Sequence, residues 1–221
     1  MRFTLFLGVI VVFNFSVFAQ GLIFQRGESG FSAGGGFSIN NDATGISGNL
    51  GYTIDGLVNF TGQIGHSAAD EGDLTAFSIA PIVTFYPIKY SYERPITIAI
   101  TGGYIYTKFS SDALDLFNVD LTANTWGLVG GITGHYYISQ TGQIMPGFAF
   151  EYNKTTVKLK NNLGNSIEDD EIFSYLILSL GFGFETTPTF SFLIVPQIAF
   201  GLSGEGNDAT TFGLGVTFGF K

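Results

Sequence analysis

From position 209 to the C-terminus the chain reads ATTFGLGVTFGFK, and the apolar residues fall on every second position. Phe212, Leu214, Val216, Phe218 and Phe220 share one parity, while Thr211, Gly213, Gly215, Thr217 and Gly219 share the other. A strand sends successive side chains to opposite faces, so this segment has one greasy face and one lined with almost nothing. A strand of a water-soluble sheet usually carries charged or amide side chains on its non-core face, and neither face does here. Apolar on one side and small or polar on the other, over about ten residues, is the pattern of a membrane-spanning barrel strand.

The alternation recurs along the chain. Strands are predicted at 30–40, 45–54, 57–66, 74–86, 96–108, 123–138, 143–158, 171–185 and 190–203, ahead of the terminal one. In the fifth, Ile96, Ile98, Ile100, Tyr104 and Tyr106 oppose Thr97, Ala99, Thr101 and Thr107. In the sixth, Trp126, Leu128, Ile132 and Tyr136 oppose Thr125, Gly127, Gly131, Thr133 and His135. Asp55-Gly56 is a two-residue hairpin signal. The expected fold is all-β, an up-and-down antiparallel transmembrane barrel of ten strands, or eight if the Gly-rich first hairpin does not pair.

The connections sort by charge. Odd-numbered ones contain Asp42, then Asp70, Glu71 and Asp73, then Asp112, Asp115 and Asp120, then Glu168, Asp169 and Asp170, then Glu205 and Asp208. Even-numbered ones are mostly shorter and carry only Asp55 and Glu93 as acids. Long loops at one end and tight turns at the other is the asymmetry of outer-membrane barrels, whose long loops lie outside the cell. An even strand number returns both termini to the periplasmic side.

Three strands share a further pattern, IAPIVTF at 79–85, IMPGFAF at 144–150 and IVPQIAF at 194–200, with the Ile, Pro and final Phe on the lipid-facing parity. Proline donates nothing to a ladder, so bulges or locally broken hydrogen bonds are expected at these positions.

Ahead of the strands, Met1-Arg2 precede an apolar run at 3–18, interrupted by Thr4, Gly8, Asn14 and Ser16. Val17 and Ala19 place small residues three and one before Gln20, which reads as a signal-peptidase site. Residues 1–19 are therefore expected to be a cleaved signal peptide and 20–221 a single barrel domain. The run is short for a helical span of about 20 residues. The chain has no Cys, which excludes a lipoprotein, disulfides and thiolate metal sites. Only 12% of its residues are charged, against about 25% in a soluble domain. A net charge of −9 argues against nucleic acid as a partner.

The last strand resembles the C-terminal assembly signal of bacterial outer-membrane barrels, on Gly215, Phe218 and Phe220. Gly213 stands where that signal usually has a polar residue, and Lys221 follows the final aromatic. Over essentially its whole mature length, Pro-containing strands included, the chain is similar to the small outer membrane protein beta-barrel domain family. The resemblance implies a monomer in the outer membrane of a Gram-negative cell, in contact with outer-membrane lipid and lipopolysaccharide and inserted by the barrel assembly machinery.

Lumen-facing positions are mostly Gly, Ala, Ser and Thr; the exceptions are Asn59, Gln63, His135, Glu151, Asn153, Glu185 and Gln197. His135, Glu151, Asn153 and Gln197 are the candidate lumen-lining residues. Ten strands lined this way leave a narrow passage or small cavity, unless inward-folded loop residues close it. No ring of Arg or Lys faces a ring of acids, so an ion-selective constriction is not supported. The loop at 109–122 holds Leu114, Leu116, Phe117 and Val119, which predicts a short helix over the mouth or a loop packed on the rim.

His66-Ser67, with Asp70 and Asp73 following, is the one cluster resembling catalytic parts. It lacks the His-x-Ser spacing of lipid A deacylases and the Asp-His pairing of outer-membrane proteases. IEDDE at 167–171 has neither the glycine nor the spaced ligands of a calcium loop and reads as solvated negative charge. No catalytic residue, cofactor or metal is expected. The expected function is passive passage or binding of small solutes; the alternative is a structural or surface-interaction barrel whose acidic loops contact lipopolysaccharide or a partner.

Overall fold

A computed structural model describes residues 21–40, 42–69, 73–91, 93–161, 165–203 and 210–221. The expected signal peptide and its cleavage point lie outside the described residues, as do Asp70, Glu71, Glu205 and Asp208. The strands are β1 (Gly30–Ile39), β2 (Ala43–Ile54), β3 (Val58–Ala69), β4 (Thr75–Ile88), β5 (Ile96–Ser110), β6 (Val119–Gly134), β7 (Tyr136–Tyr137), β8 (Gly142–Asn161), β9 (Ser166–Thr187), β10 (Phe190–Ser203) and β11 (Thr210–Phe220). One short helix, α1 (Asp112–Leu116), joins β5 to β6.

Each strand pairs antiparallel with its neighbours in sequence, and β1 pairs with β11, so the sheet closes on itself. The two-residue β7 continues β6 past His135 in one register against β8, with Thr133 opposite Gly147 and Tyr136 opposite Ile144. The barrel thus has ten strands, as the alternation predicts. The Gly-rich first hairpin pairs along its whole length, from Gly30 opposite Thr53 to Ile39 opposite Thr44. At the β2–β3 turn, Asp55 and Gly56 take φ of 53° and 64°, and Leu57 N donates to Ile54 O at 2.9 Å. Two positive φ values around one such bond make the type I′ turn that Asp-Gly favours.

Parity divides the residues as the alternation requires. Phe31, Leu50, Ile64, Leu128, Phe148 and Phe212 stand exposed on the outer face, while Thr53, Thr84, Thr97, Thr125, Thr155 and Thr217 are buried on the inner one. An apolar belt around an entire ring far exceeds the patches that water-soluble monomers expose. Hydrocarbon is the solvent that suits it.

The three motif prolines break hydrogen bonds and leave the register intact. Pro81 pairs in register with Gly62 on β3, while pairing to β5 lapses between Ile79 and Ile82 and resumes unshifted. Pro196 pairs with Leu214 on β11, and the lapse falls on the β9 side. Pro146 pairs with Leu180 on β9 and faces the break between β6 and β7. Each proline turns its missing donor toward one neighbour only, so no bulge forms there.

Two connections are shorter than the sequence predicts. β5 runs to Ser110 and β6 starts at Val119, so the expected 109–122 loop shrinks to α1 and its flanks. β9 begins at Ser166, so most of the acidic loop expected at 161–170 is strand. Backbone pairing with β8 continues out to Lys160 opposite Ser166, and Lys154–Asp170 and Lys158–Glu168 ion pairs at 2.7 and 2.6 Å bridge the two strands. β8 and β9 have 20 and 22 residues against 10 in β1, so β5, β6, β8 and β9 rise as a wall above one side of the loop end.

At the turn end, residues 21–29 fold beneath the barrel as a strap. Gly21–Ile23 form one 3-10 turn, and Leu22 packs in a cluster with Tyr86, Ala99, Met145, Leu193 and Val195. Phe24 is fully buried, and a Cβ at Gly30 would stand 2.5 Å from its ring. Gly27 N donates to Asp55 O at 2.9 Å. Lys221 Nζ holds the strap from the other side of the β1–β11 seam, 3.0 Å from Glu28 and 2.9 Å from Glu185. Burial lowers the Lys221 pKa, and the hydrogen bonds to Glu185 and Glu28 outweigh it, leaving the ammonium above its ordinary value. Lys221→Met should lower the unfolding free energy by up to about 1 kcal/mol, because the triad is only partly shielded from water. Urea titration followed by heat-modifiable gel mobility measures this, and an unchanged midpoint would remove the latch.

Candidate functional site in the barrel lumen

The inner wall has two unlike sectors. Along β11, β1, β2 and β3 the inward positions are only Gly, Ala, Ser, Thr, Asn and Gln, including Ser32, Asn49, Thr61 and Gln63. Toward the loop end of the opposite sector, Phe109, Leu121, Val129, Phe173 and Ile177 form a buried apolar cluster. Leu114 of α1 packs against that cluster, whereas Leu116 and Phe117 are exposed. Ser111 Oγ caps the helix by accepting from Leu114 N at 3.2 Å. The expected short helix forms, but only Leu114 of its apolar residues turns inward, so it caps the edge of the apolar cluster and does not plug the mouth.

The four candidate lining residues occupy two levels. Glu151 and Asn153 are fully buried on β8, and Asn153 Nδ2 donates to Glu151 Oε1 at 2.8 Å. Beside them Thr125 and Thr155 hydroxyls share a hydrogen bond at 2.8 Å. Asn153 lies across β6 at Gly127, where a Cβ would stand 2.0 Å from its Oδ1, so only glycine leaves room for the amide. His135 sits lower, beside position 145 of β8, six residues or about 20 Å along the strand from Glu151. Its Nε2 shares a hydrogen bond with Thr97 Oγ1 at 2.9 Å, and its Nδ1 lies 3.2 Å from Gln143 Oε1. Gln197 lies over Gly213, its cross-strand partner, where a Cβ would meet Nε2 at 2.7 Å. That contact accounts for a glycine at the position where the assembly signal usually has a polar residue.

Below His135 is a polar rim that sequence reasoning did not find. Tyr90 stacks on the His135 ring at 4.4 Å, shares a hydrogen bond with the Tyr137 hydroxyl and accepts from Gln25 Nε2 at 2.9 Å. Lys89 Nζ stands 4.1 Å over the Tyr86 ring. Burial pushes the Lys89 pKa down to about 7 against the opposing pull of Glu28. Lys89 falls at a strand end the alternation cannot extend to, so nothing in the pattern marks it as inward. Sequence reasoning misses Tyr175 and reads Glu171 as solvated charge, although both share the inner parity of Glu185 on β9, the signal that could have found them. Around Leu22 two cavities of about 40 and 30 Å³ remain, one reaching Gln197 and Thr133, the other Tyr90 and Lys221.

His66 and Ser67 do not form a pair. The imidazole is exposed on the outer face of β3 and the hydroxyl is buried on the inner face. Glu168 and Asp170 of the IEDDE segment are engaged with Lys158 and Lys154. Among the described residues, no group of three or more His, Asp or Glu is placed to hold a metal ion.

No family model matches the sequence, and no curated protein matches it. Solved structures do. The translocator domain of the autotransporter NalP from Neisseria meningitidis superposes with a TM-score of 0.58 at 11% identity, covering 97% of this chain and 95% of that one. The shared feature is the fold, a closed antiparallel β-barrel. Ail, the attachment invasion locus protein of Yersinia pestis, matches at 14% identity over 89% of this chain and 99% of that one, with a TM-score of 0.42. A major outer membrane protein from Thermus thermophilus matches at 12% over 87% and 100%, with a TM-score of 0.37. These two likenesses are too weak to carry an argument.

The displaced Lys89 pKa has a pH signature. Between about 7 and 10.5 the unfolded chain holds a proton that folded Lys89 has lost, so stability rises with pH across that window. The Lys221 latch has a raised pKa, so its contribution is intact below 10.5 and does not oppose the trend. The urea midpoint of the wild type should therefore gain more between pH 7.5 and 9.5 than that of Lys89→Met. Equal gains in the two proteins would rule Lys89 out as the source.

Proposed function

We propose that this chain is an integral barrel of the bacterial outer membrane that takes small solutes into its lumen from the loop side, which faces out of the cell. Its membrane setting is supported by the apolar outer belt, by the closed ring and by Gly215, Phe218 and Phe220 in the last strand. Phe218 and Phe220 are exposed on the outer face, where the barrel assembly machinery has access to them. A ring closed at β1–β11 offers no free edge for a second copy, which favours a monomer.

The observation that carries the lumen reading is the buried Glu151–Asn153 pair in a barrel whose other sector, β11 with β1, β2 and β3, is lined only by small and amide residues. Polar groups placed inside a barrel act on what enters it, and their role here is binding or passage without chemistry. The strap at 21–29 sits across the periplasmic mouth, so the solute meets the lumen from outside and crosses only when the strap leaves.

A second reading has its own support. The wall of β5, β6, β8 and β9 bears Lys108, Lys154, Lys158 and Lys160 on its outer face, interleaved with Asp120, Glu168 and Asp170. Such a surface suits contact with lipopolysaccharide or a surface partner.

Planar-bilayer recording separates the two readings. The chain exported and processed by the cell should give small or no conductance steps, and a Leu22→Ser/Phe24→Ser variant should give larger ones. Silence from both, with heat-modifiable mobility intact, would move the function to the outer surface.

A further inference from the structure

The geometry points to a linear aliphatic polyamine as the solute class, held in the loop-side half of the lumen by Glu151, Asn153, Tyr175 and Glu171. The inference rests on the lumen reading above and names its ligand. The β8–β9 register places Glu151 opposite Tyr175 and Thr155 opposite Glu171, with Asn153 between them on the same inward parity. Asn153 directs its amide donor to Glu151, which leaves Oδ1 as an acceptor. That oxygen and the Tyr175 hydroxyl belong to side chains 0% and 2% exposed, and neither has a hydrogen-bond partner. A buried acceptor left without a donor costs about 1–3 kcal/mol, so the two atoms mark where a ligand N–H belongs.

Charge decides the sign of that ligand. Among the described residues, the inward strand positions of this half include Glu151 and Glu171 and no Lys or Arg, since Lys108, Lys154, Lys158 and Lys160 all take the outward parity. Asp42, Asp73, Asp112 and Asp115 stand at the loop end above it. A mouth and inner wall of one sign focus the field inward and concentrate cations.

Shape decides between a metal ion and an amine. Calcium needs six to eight oxygens within 2.3–2.6 Å, about as close as ligands can crowd. Here the acceptors are strung over four strand positions, about 13 Å, from the level of Tyr175 to that of Glu171. Beside them run Val129, Phe173 and Ile177 of the apolar cluster. A carboxylate at each end, Tyr175 beside the one at Glu151, the Asn153 acceptor between them and a greasy wall alongside fit ammonium groups spaced along a methylene chain.

The test is isothermal titration of spermidine into the processed chain in detergent, with magnesium chloride as the inorganic probe and heat-modifiable mobility as the folding control. Spermidine should bind, magnesium should not displace it at equal concentration, and Glu151→Gln and Glu171→Gln should each weaken binding about tenfold. Asn153→Asp, which keeps the shape and adds charge, should tighten it, and Lys154→Gln on the outer face should leave it unchanged. No binding by the folded chain, wild-type affinity in the two glutamine variants, or displacement by magnesium would each overturn the site. Spermidine binding in a chain whose strap variant never conducts would support the site and remove passage. Conductance from that variant without spermidine binding would remove the site and leave passage standing.

Discussion

Every amide of a strand surrounded by hydrocarbon needs a partner inside the protein, and the ladder between β1 and β11 is what lets all of them have one. An open sheet of the same strands would carry two unpaired edges into the membrane. The constraint explains why β1, with four glycines in its ten residues, still pairs along its whole length with β2 and from Phe31 to Ile39 with β11. It explains the behaviour of the prolines, each of which gives up a bond on one side and keeps register on both. It also gives Lys221 a purpose: the residue that departs from the assembly signal ties the end of the last strand to Glu28, just ahead of the first.

Once the ring is closed, parity assigns every side chain a solvent. The outer face has little freedom, because hydrocarbon demands apolar residues at nearly every position. The inner face is less constrained, and this chain uses that freedom unevenly. One sector is lined by small and amide residues, and the charged and aromatic polar groups of the other gather at two levels, Glu151 to Tyr175 toward the loops and Lys89 to His135 toward the turns. The glycines opposite Asn153 and Gln197 show the two kinds of position cooperating, since each amide lies where its cross-strand partner has no Cβ.

The two ends of the barrel differ in sign. Lysines 89 and 221 sit at the turn end with Glu28 and Glu185, and the strap of residues 21–29 is held among them. At the loop end the inward and apical charges are carboxylates, while the lysines there project outward and pair across β8 and β9. A cation approaching from the loops meets attraction until it reaches the level of Glu151.

Fold class, strand number, inward and outward faces, the Asp-Gly turn and the acid-rich end were all legible in the sequence. Each follows from a period of two, which is a property of the strand itself and needs no knowledge of its neighbours. The inward placement of His135, Glu151, Asn153 and Gln197 was legible for the same reason. What the period cannot show is which positions stand side by side, because that depends on register between strands far apart in sequence. Glu151 faces Tyr175 and Asn153 faces Gly127 through pairings of 24 and 26 residues' separation. The length of β9 was misjudged because IEDDE looks like a loop until Lys154 and Lys158 stand across from it. The strap was invisible, since a short apolar stretch without period acquires meaning only from the mouth it enters. Local pattern determined which way each side chain of this barrel points; closure of the ring decided what it points at, because only long-range hydrogen-bond register brings those groups together.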